Sequence, residues 1–88
     1  MISKDYVIRS PDGIHARPAT ALIRLTRKFK STVSVKKGPA LVKLNSMLNI
    51  LALGAKGGES ITIVVEGEDE TDAADAINHF FETDLEKL

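Results

Sequence analysis

Two stretches of this chain repeat their apolar residues at helical spacing while the segments around them alternate with a period of two, and that switching leaves few folds open. In the first stretch Ala16, Ala19, Leu22, Ile23, Thr26 and Phe29 fall on one face, with Arg24, Arg27, Lys28 and Lys30 mostly between them. In the second, Ala73, Ala76, Ile77, Phe80 and Phe81 recur at i, i+3, i+4, i+7 and i+8. Tyr6-Val7-Ile8 reads as part of a first strand. Thr32-Val33-Ser34-Val35-Lys36 alternates, Gly38-Pro39 turns the chain, and Leu41-Val42-Lys43-Leu44 returns it, a hairpin with one buried face and its lysines in solvent. A short apolar helix over Met47-Leu48-Asn49-Ile50-Leu51 ends at Gly54, Gly57 and Gly58. Ile61-Thr62-Ile63-Val64-Val65 is the most β-prone run and reads as a central strand, after which residues 67–70 turn into the last helix, capped by Asp69 or Thr71. Two amphipathic helices side by side on one face of an antiparallel sheet give an α+β, open-faced sandwich.

Its 88 residues allow one modest core, so a single domain over 1–88 is expected, without room for a second active site. The absence of cysteine excludes a disulfide framework and a thiolate metal site. The apolar run from Met47 to Leu53 is too short to span a bilayer, and the N-terminus, with Asp5 close behind Lys4, lacks the apolar region of a secretory signal. A cytoplasmic protein without direct membrane insertion is the expectation. The charges cancel overall but are segregated. Residues 1–58 hold eleven Lys and Arg against two Asp, and residues 59–88 hold one Lys against ten Asp and Glu. Such polarity favours oriented docking on acidic partner proteins through a face that includes Arg17, Arg24 and Arg27. Nucleic acid is not expected, because zero net charge and four scattered aromatics, Tyr6, Phe29, Phe80 and Phe81, give neither a basic footprint nor a stacking platform.

The chemistry is concentrated in Gly13-Ile14-His15-Ala16-Arg17-Pro18-Ala19-Thr20. Pro11, Asp12 and Gly13 form a turn, and Pro18 falls in the first helical turn, where its missing N–H costs little. His15 therefore stands at or next to the helix cap. Imidazole has an ordinary pKa of about 6.5 and offers a lone pair able to attack phosphorus near neutral pH. Arg17 can pair with phosphate oxygens, and a helix start supplies unpaired N–H groups and the positive end of the dipole. His79, beside Asn78 before Phe80-Phe81, has no converging ligand set and reads as a surface residue.

The string GIHARPAT closely resembles the active-site segment of the HPr family, the histidine phosphocarriers of the bacterial phosphoenolpyruvate-dependent sugar phosphotransferase system. The resemblance continues through Asn45-Ser46-Met47-Leu48, Leu53-Gly54, Lys56-Gly57 and Glu66-Gly67-Glu68-Asp69-Glu70, and covers essentially the whole chain. It implies a βαββαβα fold with a four-stranded antiparallel sheet covered on one face by helices. It implies, further, that His15 is phosphorylated on Nδ1 and that Arg17 stabilises the phosphate, in a carrier that is not a self-contained enzyme and needs neither cofactor nor metal. Enzyme I would be the donor and sugar-specific IIA domains the acceptors. Ala16, Thr20, Arg24, Arg27, Met47, Leu48 and Leu51 would form their shared docking patch, which a monomer leaves uncovered.

Ser46, ahead of the short helix, is placed to cap it with its hydroxyl. In many Gram-positive members the matching serine is phosphorylated by an HPr kinase, which turns the carrier into a regulator and brings a transcriptional regulator among its partners. Asn45 departs from the lysine often found at that position. The alternative is a nitrogen-related or regulatory HPr-like protein that acts mainly by phosphorylation-dependent docking. Asn45-Ser46 and the following aliphatics are somewhat similar to the nitrogen-related branch, whereas His15 argues against the branch that lacks the acceptor histidine.

Overall fold

A computed structural model describes residues 1–9, 14 and 16–85. The expected turn over Pro11, Asp12 and Gly13, and His15 itself, lie outside the described residues. The elements run β1 (Ile2–Val7), α1 (Ala16–Thr26), β2 (Thr32–Lys37), β3 (Ala40–Lys43), α2 (Met47–Leu53), β4 (Ser60–Glu66) and α3 (Glu70–His79). The last helix continues into a wider π-type turn, Phe80–Asp84. The order βαββαβα and the fold class expected from the sequence are both observed.

The four strands form one antiparallel sheet in the order β1-β4-β2-β3, so the β-prone run 61–65 is central, as expected. Register follows from the alternation of side chains. Val33 and Val65 pair, as do Val35 and Ile63, and Val35 meets Val42 across the hairpin. These residues face the helices, and Ile61, Ile63 and Val65 are buried there with Leu22, Ile50, Ile77 and Phe80. Lys36 and Lys43 are exposed, as the alternation requires.

Several local expectations change. β1 begins at Ile2, because β4 supplies a ladder for the polar Ser3-Lys4-Asp5 that sequence propensity alone does not favour. Ile8 leaves the strand yet stays buried. In α1 the buried side chains are Pro18, Ala19, Leu22, Ile23 and Thr26, whereas Ala16 is exposed in the first turn. Ala76 is half-buried, while Ala73, Ile77, Phe80 and Phe81 are buried as the spacing predicts. The Phe81 ring stacks on Tyr6 with centroids 4.6 Å apart, tying the π-type turn to β1.

Asp69 occupies the N-cap position of α3, but its side chain makes no cap hydrogen bond. Its carboxylate instead accepts from the Lys30 N–H at 2.8 Å, the Ser31 N–H at 2.9 Å and the Ser31 hydroxyl. The two N–H donors at the start of β2 compete successfully for the same oxygens. The close approach depends on Gly67, whose φ of +154° suits glycine and whose Cβ, if present, would lie 2.7 Å from Ser31 Cα. Thr71, the other expected cap, is exposed and lies inside α3, past the N-cap position.

Candidate functional site

Arg17, Thr20 and Arg24 of α1, and Arg27 in the turn that continues it, follow one another at i, i+3, i+7 and i+10, which puts them on one stripe of the surface. All three arginines are exposed, and among the described residues none forms an ion pair. The stripe borders α2. Thr20 lies within it, its hydroxyl 2.8 Å from the Ala16 carbonyl oxygen and 3.1 Å from Met47 Sδ. Pro18 and Ala19 are buried beneath, so the start of α1 is seated on the core while Ala16 and Arg17 stay accessible.

The short helix α2 buries Ile50 and Leu53 and cannot bury the rest of its apolar residues. Met47 packs partly against the core, while Leu48 is 76% and Leu51 42% exposed. α1 with its exposed arginines and α2 with its two exposed leucines are packed against each other, through Thr20 and Met47 among other residues. Thr26 fixes the far end of α1 to the chain entering α2, its buried hydroxyl 2.9 Å from Ile23 O and 3.3 Å from Leu44 O. Of the sequence-expected patch, Thr20 and Met47 are in direct contact, while Arg24 and Arg27 lie farther along the same stripe.

Ser46 stands at the N-cap position of α2 with extended backbone, φ −150° and ψ 135°, but its hydroxyl does not cap the helix. The expected capping bond is therefore absent. The amide of Asn49 lies 3.3 Å from both the Lys43 carbonyl and Asn45 Oδ1, bracing the turn that a serine cap would otherwise hold. At its other end α2 closes on Gly54, in the left-handed region at φ 65°, whose N–H donates to Leu51 O at 3.2 Å.

Sequence reasoning missed the residues behind this surface. Ile14, adjacent in sequence to His15, is buried and donates its N–H to Ala55 O at 3.1 Å. Lys37 reaches the C-terminal end of α2 from the hairpin and pairs with Glu59, Nζ to Oε1 3.3 Å. Glu59 Oε1 also accepts from the Lys56 N–H at 2.7 Å, and these partners hold its carboxyl below the usual range, the Lys56 bond most of all. No local spacing announces a pair that joins a hairpin to a loop. His79 is exposed, with Nε2 3.7 Å from Asp84 Oδ1, as expected of a surface residue. Among the described residues no cluster of His, Cys, Asp and Glu could hold a metal ion, and no helix is long and apolar enough to cross a membrane.

Fold and surface together define a small one-sheet protein that leaves the start of a helix, a row of arginines and an apolar edge exposed. Residues 2–83 match the family model described as the PTS HPr component phosphorylation site. The chain is similar to HPr-C-His of Thermoanaerobacter tengcongensis, with 30% identity and a TM-score of 0.91, covering 97% of this chain and 96% of that one. It is similar to the histidine-containing phosphocarrier protein of Mycoplasma, with 32% identity and a TM-score of 0.88 over 96% and 97% of the two chains. A structure of the HPr dimer from Thermoanaerobacter tengcongensis matches at 33% identity and TM-score 0.75, covering 83% and 84%. The chain belongs to the HPr family, the phosphocarriers of the phosphotransferase system.

Proposed function

We propose that His15 accepts a phosphoryl group from a phosphohistidine of enzyme I and passes it to a histidine of a sugar-specific IIA domain. The observation that carries this reading is the exposed stripe beginning at Arg17, two residues beyond His15, on a helix packed against α2, which leaves Leu48 and Leu51 exposed. In the forward step the lone pair of neutral His15 Nδ1 attacks phosphorus, the donor's N–P bond breaks, and the electron pair returns to the donor imidazole. No water is consumed and no cofactor or metal takes part. Arg17 pairs with the phosphate oxygens, and the free N–H groups in the first turn of α1 favour the same charge. Because the group must leave again, this stabilisation is moderate and the surface remains open to both partners.

Arg24 and Arg27 steer acidic partners, while Ala16, Thr20, Met47, Leu48 and Leu51 supply the apolar contact. A monomer suits a surface shared by successive partners. Ser46, whose hydroxyl forms no cap bond, is a regulatory phosphorylation site for an HPr kinase, and a phosphate there would change the docking surface without unfolding α2. The single domain acts in the cytoplasm.

The deciding experiment is intact-protein mass after incubation with phosphoenolpyruvate and enzyme I, on the parent and on His15→Ala. One acid-labile phosphoryl group, absent from His15→Ala and retained by His79→Ala, is the expected result. No addition with a demonstrably active cognate enzyme I would sink the carrier step.

A further inference from the structure

One loop grips both ends of the segment that leads into the helix of the phosphorylation site. The Ile8 N–H donates to Glu59 O and the Ile8 carbonyl accepts from the Gly58 N–H, each at 2.8 Å. At the other end the Ile14 N–H donates to Ala55 O at 3.1 Å. Ile14 and Ala55 are both buried, so the bond between them is shielded from competing water, and Ile8 is buried as well. α1 starts at Ala16, which leaves position 15 between a backbone set by this loop and the first residue of the helix.

Lys37 touches both ends of this loop. Its ammonium lies 3.1 Å from Gly54 O, 3.5 Å from Leu53 O and 3.3 Å from Glu59 Oε1. Lys37 shares the inner face of β2 with Val33 and Val35, so its stem runs over the core edge and its head meets the C-terminal end of α2. Those terminal carbonyls carry partial negative charge, which a cation complements and a carboxylate opposes. With Lys37 in place, Glu59 can fold back onto the Lys56 N–H at 2.7 Å and close the loop. Without it, Glu59 would face the helix carbonyls uncompensated.

We infer that Lys37 and Glu59 form an ionic latch that sets the 54–59 loop and, through the Ala55 carbonyl, the backbone at Ile14, making both of them positioning residues for phosphoryl transfer. The inference rests on the reading of His15 as the acceptor. Neither side chain needs to touch the phosphoryl group, since a small displacement of the attacking nitrogen is enough to slow an in-line transfer. The same latch holds the end of α2 that carries Leu51, so docking surface and acceptor segment keep one fixed relation.

The test compares Lys37→Met, Lys37→Arg and Glu59→Gln with the parent, by transfer kinetics from phosphorylated enzyme I and by amide hydrogen exchange at Ile14 and Ile63. For Lys37→Met, kcat falls by about 3- to 10-fold while KM stays within about twofold. Ile14 exchange accelerates at least about fivefold more than Ile63 exchange, which reports global opening from the central strand. Lys37→Arg restores both readouts, and Glu59→Gln gives a smaller loss in the same direction because the ammonium keeps its two carbonyls. If Ile14 and Ile63 accelerate together, the lysine is a general stabiliser and the latch is wrong. If Ile14 loosens and transfer keeps the parental kcat, positioning is wrong. Failure of the parent to become phosphorylated at all would instead remove the acceptor reading, an outcome separate from either.

Discussion

At the scale of single residues, position 17 is the clearest example of a candidate site residue read directly from order along the chain. An arginine two places past a histidine at a helix start can be recognised without a structure, and it is exposed and unpaired among the described residues. Arg17→Ala should lower kcat/KM for phosphoryl transfer by about tenfold, the worth of a charge-assisted hydrogen bond of about 1.5 kcal/mol. Its unfolding midpoint should match the parent's, because the side chain is exposed; rapid-quench kinetics and a denaturant curve check the two halves. Asp69 shows the opposite case. Its place before a helix suggests a cap, whereas its oxygens are taken by Ser31 and Lys30, partners distant in sequence that only the folded sheet brings near. The Ser31 hydroxyl first, and then the Lys30 N–H, hold the carboxyl below the usual range. A carboxyl lowered in the folded state contributes stability above its unfolded pKa, and that contribution disappears as pH falls through the folded value. The parent should therefore lose urea resistance more steeply than Asp69→Asn below about pH 4. Parallel acid limbs for the two proteins would show that the three-donor site does not govern this range.

Among the elements, α2 is the one whose surface and packing pull in different directions. Seven residues give it two buried anchors, Ile50 and Leu53, and leave Leu48 and Leu51 outside. The apolar surplus was evident in the sequence, since so short a helix cannot point all its aliphatics one way. The bracing by Asn49 and the latch at Lys37 were not, because both are bonds to other elements. Met47→Lys should reduce kcat/KM with either partner by about tenfold while the melting temperature moves by less than about 5 °C. Unchanged transfer would detach α2 from the docking surface. Between β4 and α3 the sensitive position is Gly67. Gly67→Ala should destabilise the protein by about 1–3 kcal/mol in denaturant titration, since alanine is strained at its φ and its Cβ meets Ser31. The strands and helices themselves were legible from period and turn residues. Exceptions came where tertiary partners intervened, as in Ile2–Asp5, which form a strand because β4 lies alongside.

For the whole molecule, the separation of charge along the chain has a kinetic expression. Basic residues dominate 1–58 and acidic residues 59–88, and the arginine stripe of α1 belongs to the first group. Association with an acidic partner should therefore slow as salt is raised. The second-order rate of transfer should fall about three- to tenfold between about 50 and 500 mM salt, with kcat nearly constant. A flat salt dependence, measured under subsaturating carrier, would reduce the segregation to solvated faces. The sheet order carries a different consequence. Its central strand, β4, is the last strand in sequence, and it pairs with β1 on one side and β2 on the other. On the ribosome β1 therefore emerges first and waits without a neighbour, and only the β2-β3 hairpin can form early. The sheet closes in one late step when residues 60–66 leave the exit tunnel, so a chain stalled before that point exposes two sticky edges and is a natural substrate for chaperones.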